Sequence, residues 1–293
     1  MDIDIALVRR LIAQQFPQWE NLSIQKIEPG GSDNRTFRLG SDLTVRLPSH
    51  VAYEPQVAKE QYWLPRLADH LPIAIPMPVA QGRPTHEYPW PWSIYRWIEG
   101  KTAKAADIPD LPAFAVSLAQ FLADLQRVDA TGGPPPGPHN FYRGGHLSVY
   151  DEQTRLALRN LEDHIDIGSA TLIWEAALQA TWNRASVWVH GDMHPTNLLV
   201  EDGHLTAVID FGCLGIGDPA CDLAIAWTFF TGTSRELFRR HLPVDAGTWA
   251  RARGWALWKT AITLTEPKTD LSNREEAWHI IHEILDMKGT HPQ

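Results

Sequence analysis

The sequence predicts an α+β protein in two consecutive parts, a small antiparallel-sheet region over residues 1–99 and a mainly helical region over residues 100–293. Three observations predict it. Short apolar runs separated by Gly- and Pro-containing turns fill roughly the first hundred residues, apolar residues at helical spacing take over beyond Gly100, and a well-marked hairpin interrupts the helices late in the chain.

Each element follows from its local pattern. Within residues 4–15, Ile5, Val8, Leu11 and Ile12 share one helical face. Residues 22–27, 36–39 and 44–47 are short apolar runs punctuated by Pro29-Gly30-Gly31 and Gly40-Ser41-Asp42, which predicts antiparallel strands joined by turns. Residues 54–68 suit a helix that Pro65 is expected to kink or end, because proline lacks the N–H that the ladder needs. The Pro-rich stretch 71–91 is expected to be extended, and residues 93–98 form a further strand. The connection between the two parts then falls near residues 97–101. Beyond it Phe114, Leu118, Phe121, Leu122 and Leu125 define an amphipathic helix. Residues 129–145, DATGGPPPGPHNFYRGG, can hold no regular element and are long for a mere connector. The thirteen tryptophans are assigned mostly to packing.

Composition excludes several classes of partner. The net charge is -9 and the Lys and Arg residues are scattered, so the chain has no electrostatic footprint for nucleic acid or an anionic membrane. The two cysteines, Cys213 and Cys221, are expected to be free thiols, in keeping with a reducing cytoplasm. Charges interrupt the N-terminal segment where a signal peptide needs an apolar run, and the apolar stretch 223–230 is too short to span a bilayer. A soluble, unprocessed cytoplasmic protein is the expectation. Oligomeric state has no signal in the sequence.

The most informative segment is VWVHGDMHPTNLLVEDGHLTAVIDFG, residues 187–212. Apolar runs at 198–200 and 205–209 flank Glu201-Asp202-Gly203-His204, a hairpin signature with its turn at Asp202-Gly203. Asp192 and Asn197 precede the first strand and Asp210 ends the second, so hairpin formation is expected to gather them at one end. One carboxylate there can accept the proton of a substrate hydroxyl. Asn197 and Asp210 supply hard oxygen ligands suited to Mg²⁺ bridging nucleotide phosphates.

His190-Gly191-Asp192, with Asn197 five residues beyond the Asp and Asp210-Phe211-Gly212 after it, resembles the catalytic loop and metal-binding motif of the aminoglycoside phosphotransferase family and its antibiotic- and choline-kinase relatives. The resemblance implies a bilobal protein-kinase-like fold and a reaction that uses ATP or GTP with Mg²⁺ and a small-molecule acceptor bearing a hydroxyl. It also implies Asp192 as catalytic base, His190 as a loop-orienting residue, and Asn197 and Asp210 as metal ligands. His194 is typical of the same branch. Gly217-Asp218-Pro219-Ala220-Cys221-Asp222-Leu223 is similar to the family's GDPxxDLA segment, with Asp218 expected to cap a helix that begins at Pro219 and Asp222 to brace the catalytic loop.

The first part of the chain carries the resemblance further. Residues 28–34 are similar to the family's nucleotide-covering turn, which implies Gly30, Gly31 and Ser32 near phosphate. Glu60 lies where the family has the glutamate that pairs with a strand lysine. The strand TVRLP departs from the family by carrying Arg46 where most kinases have that lysine. Arginine is always charged and reaches further, so it can still contact phosphate, although it is not an equivalent substitution. Tyr95 and Trp97 belong to a segment that resembles the hinge, with backbone groups available to an adenine ring.

The acceptor is not written in any motif: aminoglycoside-like antibiotics, macrolides, choline and methylthioribose are all acceptors within the resemblance. Acidic clusters at Asp151-Glu152 and Glu162-Asp163 suggest an acidic wall for a cationic acceptor, while the Trp and Pro content suits an apolar one equally. A nucleotide-binding protein with degenerate catalysis is the alternative that Arg46 raises. A zinc hydrolase centre of His190, Asp192, His194 and Asp210 is a third, and it leaves Asn197 and the hairpin without roles.

Overall fold

The computed structural model describes residues 2–28, 33–104 and 106–286. In chain order its first elements are α1 (Ile5–Gln15), β1 (Ile24–Lys26), β2 (Asn34–Leu39), β3 (Leu43–Pro48), α2 (Glu54–Ala68), β4 (Pro78–Gly82), β5 (Trp92–Arg96), β6 (Lys101–Thr102) and α3 (Leu111–Arg127). There follow α4 (Asp151–Asn160), α5 (Ile167–Gln179), β7 (Val187–Val189), β8 (Leu198–Glu201), β9 (His204–Val208), β10 (Gly215–Gly217), α6 (Ala220–Leu223), α7 (Ile225–Thr228), α8 (Gly232–Arg240), α9 (Ala246–Thr265) and α10 (Leu271–Leu285). The chain folds into two compact units, Met1–Ala106 with Thr196–Leu214, and Asp107–Pro195 with Gly215–Gln293. The expected stretch 1–99 is thus joined in its unit by residues 100–106 and by a segment that returns from much later in the chain.

In the first unit the strands form an antiparallel sheet of order β1-β2-β3-β5-β4. Pleating sends alternate side chains to opposite faces. Phe37, Leu39, Val45 and Leu47 join Leu7, Val8, Leu11 and Ile12 of α1 in one buried cluster. Arg46, between Val45 and Leu47, therefore leaves the other face, and its guanidinium meets Glu60 of α2. The Asp4 carboxylate accepts the Leu7 N–H at 2.8 Å and so starts α1.

Three sequence expectations gain detail here. Pro65 lies inside α2 without ending it; the missing N–H forfeits a bond to the Gln61 carbonyl, and only three helical residues follow. The Pro-rich stretch contains a strand, β4, which pairs with β5 alone at the sheet edge, where Pro78 at its first position needs no ladder partner on the outer side. The strand expected over 93–98 stops at Arg96, because the Trp97 N–H turns to the Asp42 carbonyl at 2.8 Å. A second sheet of this unit, β6-β8-β9, carries the hairpin. Asp202 (φ 51°) and Gly203 (φ 78°) are both left-handed, as a two-residue turn of matching twist requires.

The second unit is helical around α9, whose 20 residues include the buried Trp249, Trp255, Leu257 and Trp258. Around it pack α4, α5, α6 and α10, while α3 lies on α8 and β7. Asp110, Asp166, Asp245 and Asp270 accept backbone N–H groups at the starts of α3, α5, α9 and α10. The helix expected to begin at Pro219 begins at Ala220, so Pro219 stands at the cap position. The Asp218 carboxylate still accepts the Ala220 N–H at 3.1 Å, and it also holds buried Arg251 at 2.6 and 3.1 Å.

The Gly/Pro-rich stretch 129–145 is a tied loop. The Ile216 N–H donates to the Pro134 carbonyl at 2.9 Å and the Asp218 N–H to the Gly144 carbonyl at 2.8 Å. Fully buried Asn140 accepts the Gly137 N–H and donates to the Arg143 carbonyl, each at 3.0 Å. A Cβ on Gly217 would sit 2.2 Å from the Gly144 oxygen, so that crossing needs glycine. Both cysteines are buried free thiols. Among the described residues no helix is long and apolar enough to cross a membrane.

Candidate active site

The first unit brings Arg46, Glu60, Tyr95, Asn197 and Asp210 into one region. Pairing of Leu198 with Val208, and donation from the Ile209 N–H to the Asn197 carbonyl at 2.8 Å, fix Asn197 and Asp210 at the same open end of the hairpin. Asn197 is 7% exposed and the Asp210 side chain 37%. Asp210 adopts a left-handed backbone (φ 64°, ψ 66°), a conformation that costs a non-glycine residue free energy and is concentrated at functional sites.

Arg46 ties this end to α2. Its guanidinium donates to Asp210 Oδ1 at 2.6 Å and to Glu60 Oε1 at 3.3 Å, and the Tyr95 hydroxyl donates to Glu60 Oε2 at 2.5 Å. Burial by itself lowers the guanidinium, but Asp210 and Glu60 outweigh it and raise Arg46 above its ordinary value. Burial, then Glu60, pushes the Tyr95 phenol well up. Next door on α2, Lys59 donates to the Gly212 carbonyl at 2.8 Å, and burial lowers its ammonium to about 8.

Trp97 stands apart from this cluster. Arg38 lies 4.3 Å over its ring and pairs with Glu99 at 2.6 Å. The Tyr95 backbone is paired on both sides, with Thr44 and Pro78, and its side chain serves Glu60, while the Trp97 N–H is already spent on Asp42. The next residue, Ile98, has an N–H with no partner among the described residues. Gly30, Gly31 and Ser32 lie outside the described residues.

The second unit places His190 and Asp192 directly after β7. Asp222, fully buried, accepts the His190 N–H at 2.8 Å on one oxygen and the Gly191 N–H at 2.7 Å on the other. Burial raises its carboxyl, against the pull of His190 and those two N–H groups. Gly191 turns the chain at φ 86°. The buried His190 ring accepts the Asp192 N–H on Nδ1 at 3.2 Å.

The Asp192 side chain is 38% exposed and receives Lys259 Nζ at 2.9 Å. Burial pushes its carboxyl up, but Lys259, with His190 and Arg143, outweighs this and holds it below the usual carboxylate range. Asp192 opens on a small cleft lined by Arg143, Met193, Cys221, Trp255, Trp258 and Lys259. Sequence reasoning missed Arg143 and Lys259. A signal for Lys259 existed, as a lone charge inside the apolar run GWALWKTAITL.

The acidic wall is a further correction. Asp151 is occupied by Arg155 at 2.8 Å and the Trp174 indole N–H at 2.7 Å, and Glu152, Glu162 and Asp163 are exposed. None of the four lines the cleft. Asp151 and Glu152 sit in the first turn of α4, where they complement the helix dipole. Among the described residues no group of three or more His, Cys, Asp or Glu side chains is placed to hold a metal ion.

Residues 23–255 match the phosphotransferase enzyme family APH. An aminoglycoside 3'-phosphotransferase of Escherichia coli is 29% identical over 161 residues, which cover 51% of this chain and 58% of that protein. The match thus spans little more than half the length of this curated relative. The GDP complex of wild-type aminoglycoside 2'-phosphotransferase-IIIa superposes with a TM-score of 0.71 at 18% identity, covering 97% of this chain and 99% of that one. The macrolide 2'-phosphotransferase MphH of Brachybacterium faecium does so with a TM-score of 0.61 at 22% identity, covering 99% of each chain. The chain shares the α+β fold of these proteins.

Proposed function

The chain belongs to the APH phosphotransferase enzyme family, and we propose that it is a kinase that moves the γ-phosphoryl group of ATP or GTP to a hydroxyl of a small molecule. The observation that carries this reading is the Asp192 carboxylate, held ionised and partly exposed at a cleft, on a loop whose two preceding N–H groups are clasped by one buried carboxylate.

Asp192 would accept the proton of the acceptor hydroxyl as that oxygen bonds to phosphorus and the bond from phosphorus to the nucleotide's bridging oxygen breaks. A carboxylate held this low is a weak base. That suits a loose transition state, in which the hydroxyl loses its proton late and the base serves mainly to aim it. His190 positions the loop by accepting the Asp192 N–H.

Asn197 and Asp210 fit Mg²⁺, since a carboxylate and an amide oxygen at one hairpin end are hard donors, and an ion that keeps several waters needs few protein ligands. When bound there, the ion would neutralise phosphate charge. Arg46, fixed by Glu60, would face the phosphates in the place of the family's lysine, and the unpaired Ile98 N–H is the hinge donor left for an adenine ring.

The test is acceptor-dependent nucleotide consumption with the Asp192→Asn variant as blank. A loss of several orders of magnitude in kcat, with nucleotide binding retained, is expected. Turnover that persists in that variant would remove Asp192 from the reaction.

A further inference from the structure

We infer that the acceptor carries an anionic group, which Arg143 receives while Asp192 takes the hydroxyl. The inference rests on the kinase reading of the same cleft and adds the chemical class of its acceptor.

The charge of the cleft points this way. Arg143 and Lys259 are its cations and Asp192 its anion, and the remaining lining residues Gly191, Met193, Cys221, Ala224, Thr228, Trp255 and Trp258 are uncharged, Cys221 because burial keeps its thiol protonated. Lys259 is spent on Asp192. Arg143 attracts the Asp192 carboxylate electrostatically but forms no salt bridge among the described residues; its one side-chain hydrogen bond goes to the Tyr150 hydroxyl at 3.1 Å. A guanidinium carries five N–H donors in a planar fork that matches carboxylate or phosphate oxygens in pairs.

Arg143 is also rigidly mounted. Its N–H donates to the Asn140 carbonyl and its own carbonyl accepts from Asn140 Nδ2, each at 3.0 Å, inside the tied loop 129–145. Its guanidinium lies 4.7 Å from the Trp258 ring and 5.2 Å from the Trp255 ring, so aromatic faces hold the plane. The Trp255 indole N–H, buried in a side chain that lines the cleft, finds no acceptor among the described residues. Two cations thus face one carboxylate, and the remaining positive charge calls for an anion. A polycationic acceptor would meet Arg143 as a like charge, which is costly in a desolvated cleft.

The experiment separates binding from turnover. Calorimetry on the full chain would use glucuronate, 4-hydroxyphenylacetate and glucose 6-phosphate, with the methyl esters of the two acids, glucose and kanamycin as controls. At least one anion is expected to bind about ten- to a hundredfold more tightly than its uncharged counterpart, and whether it is an acid or the sugar phosphate identifies the anion. Arg143→Gln should bring that ratio close to one, and Arg143→Lys, which keeps the charge without the fork, should leave it in between. An uncharged counterpart bound as tightly as its anion, or a ratio unmoved by Arg143→Gln, overturns the inference. Nucleotide consumption with the same panel then tests the kinase reading on its own. Anion binding without any turnover would leave the anion site standing and remove the kinase reading. Kanamycin turned over faster than every anion would do the reverse.

Discussion

Lys259 Nζ reaches Asp192 Oδ1 across 2.9 Å from a position 67 residues further along the chain. The pair decides the state of the proposed base, because burial alone would push that carboxyl up and the ammonium reverses the direction.

Replacing Lys259 by Met should let the carboxyl rise from its depressed value toward the ordinary aspartate value of about 3.9. The acidic limb of the profile of kcat/KM against pH should then move upward, and kcat at neutral pH should fall by roughly ten- to a hundredfold as the carboxylate loses its aim. Lys259→Arg should keep the limb low. An acidic limb that does not move in Lys259→Met would show that the ion pair does not set the base. The same pair contributes stability above the unfolded pKa of about 3.9 and loses it as pH falls through the depressed folded value.

Asp222→Asn should loosen the loop that carries Asp192. The carboxamide accepts through one atom where the carboxylate accepts through two, so its NH₂ faces an N–H donor in the interior. A loss of about 1–3 kcal/mol in urea unfolding is expected, together with a fall in kcat larger than any change in nucleotide KM. Unchanged stability would mean that the loop is held by other contacts.

Arg46→Ala strands Glu60 as a buried, unpaired carboxylate beside Tyr95. Unfolding stability should fall by about 3–5 kcal/mol, and nucleotide affinity should fall with it. Arg46→Lys restores the charge but offers one ammonium where the guanidinium spans two carboxylates, so it should recover only part of either loss. Full recovery in the Lys variant, measured by calorimetry and denaturation, would show that the fork is unnecessary.

Lys59 predicts a pH dependence on the alkaline side. Its folded pKa is lowered to about 8 by burial. Between there and the unfolded value of about 10.4 the unfolded chain binds a proton that the folded chain does not, so stability rises with pH, by at most about 1.4 kcal/mol per unit. Lys59→Met removes that term. The stability of the wild type relative to Lys59→Met should therefore climb from pH 8 to 10 and be flat below pH 8, and a difference independent of pH would place the amine outside the interior.

The parts of the site legible in the sequence are those set by neighbours in the chain. Alternation and a two-residue turn fix the hairpin, so Asn197 and Asp210 reach one end whatever surrounds them. The pleat of β3 likewise determines that Arg46 leaves the sheet opposite Val45 and Leu47. What stayed hidden depends on partners distant in sequence. Asp151 reads as a free acid until Arg155 and Trp174 are seen to occupy it, and Arg143 reads as part of a shapeless loop until Asn140 is seen to pin it. β4 was hidden by proline, which sheet interiors exclude and edges tolerate.

The return of Thr196–Leu214 to the first unit imposes an order on biosynthesis. As the chain leaves the ribosome, Lys101 emerges long before Val200, its partner in the ladder, and Ala74 waits still longer for Ala207. The first unit stays open at that edge while most of the intervening stretch of the second is translated. Closure of so long a loop is slow, so the N-terminal unit is not the first to be finished. A nascent chain arrested just after residue 106 should bind no nucleotide, whereas one released beyond residue 214 should contain every strand of the first unit.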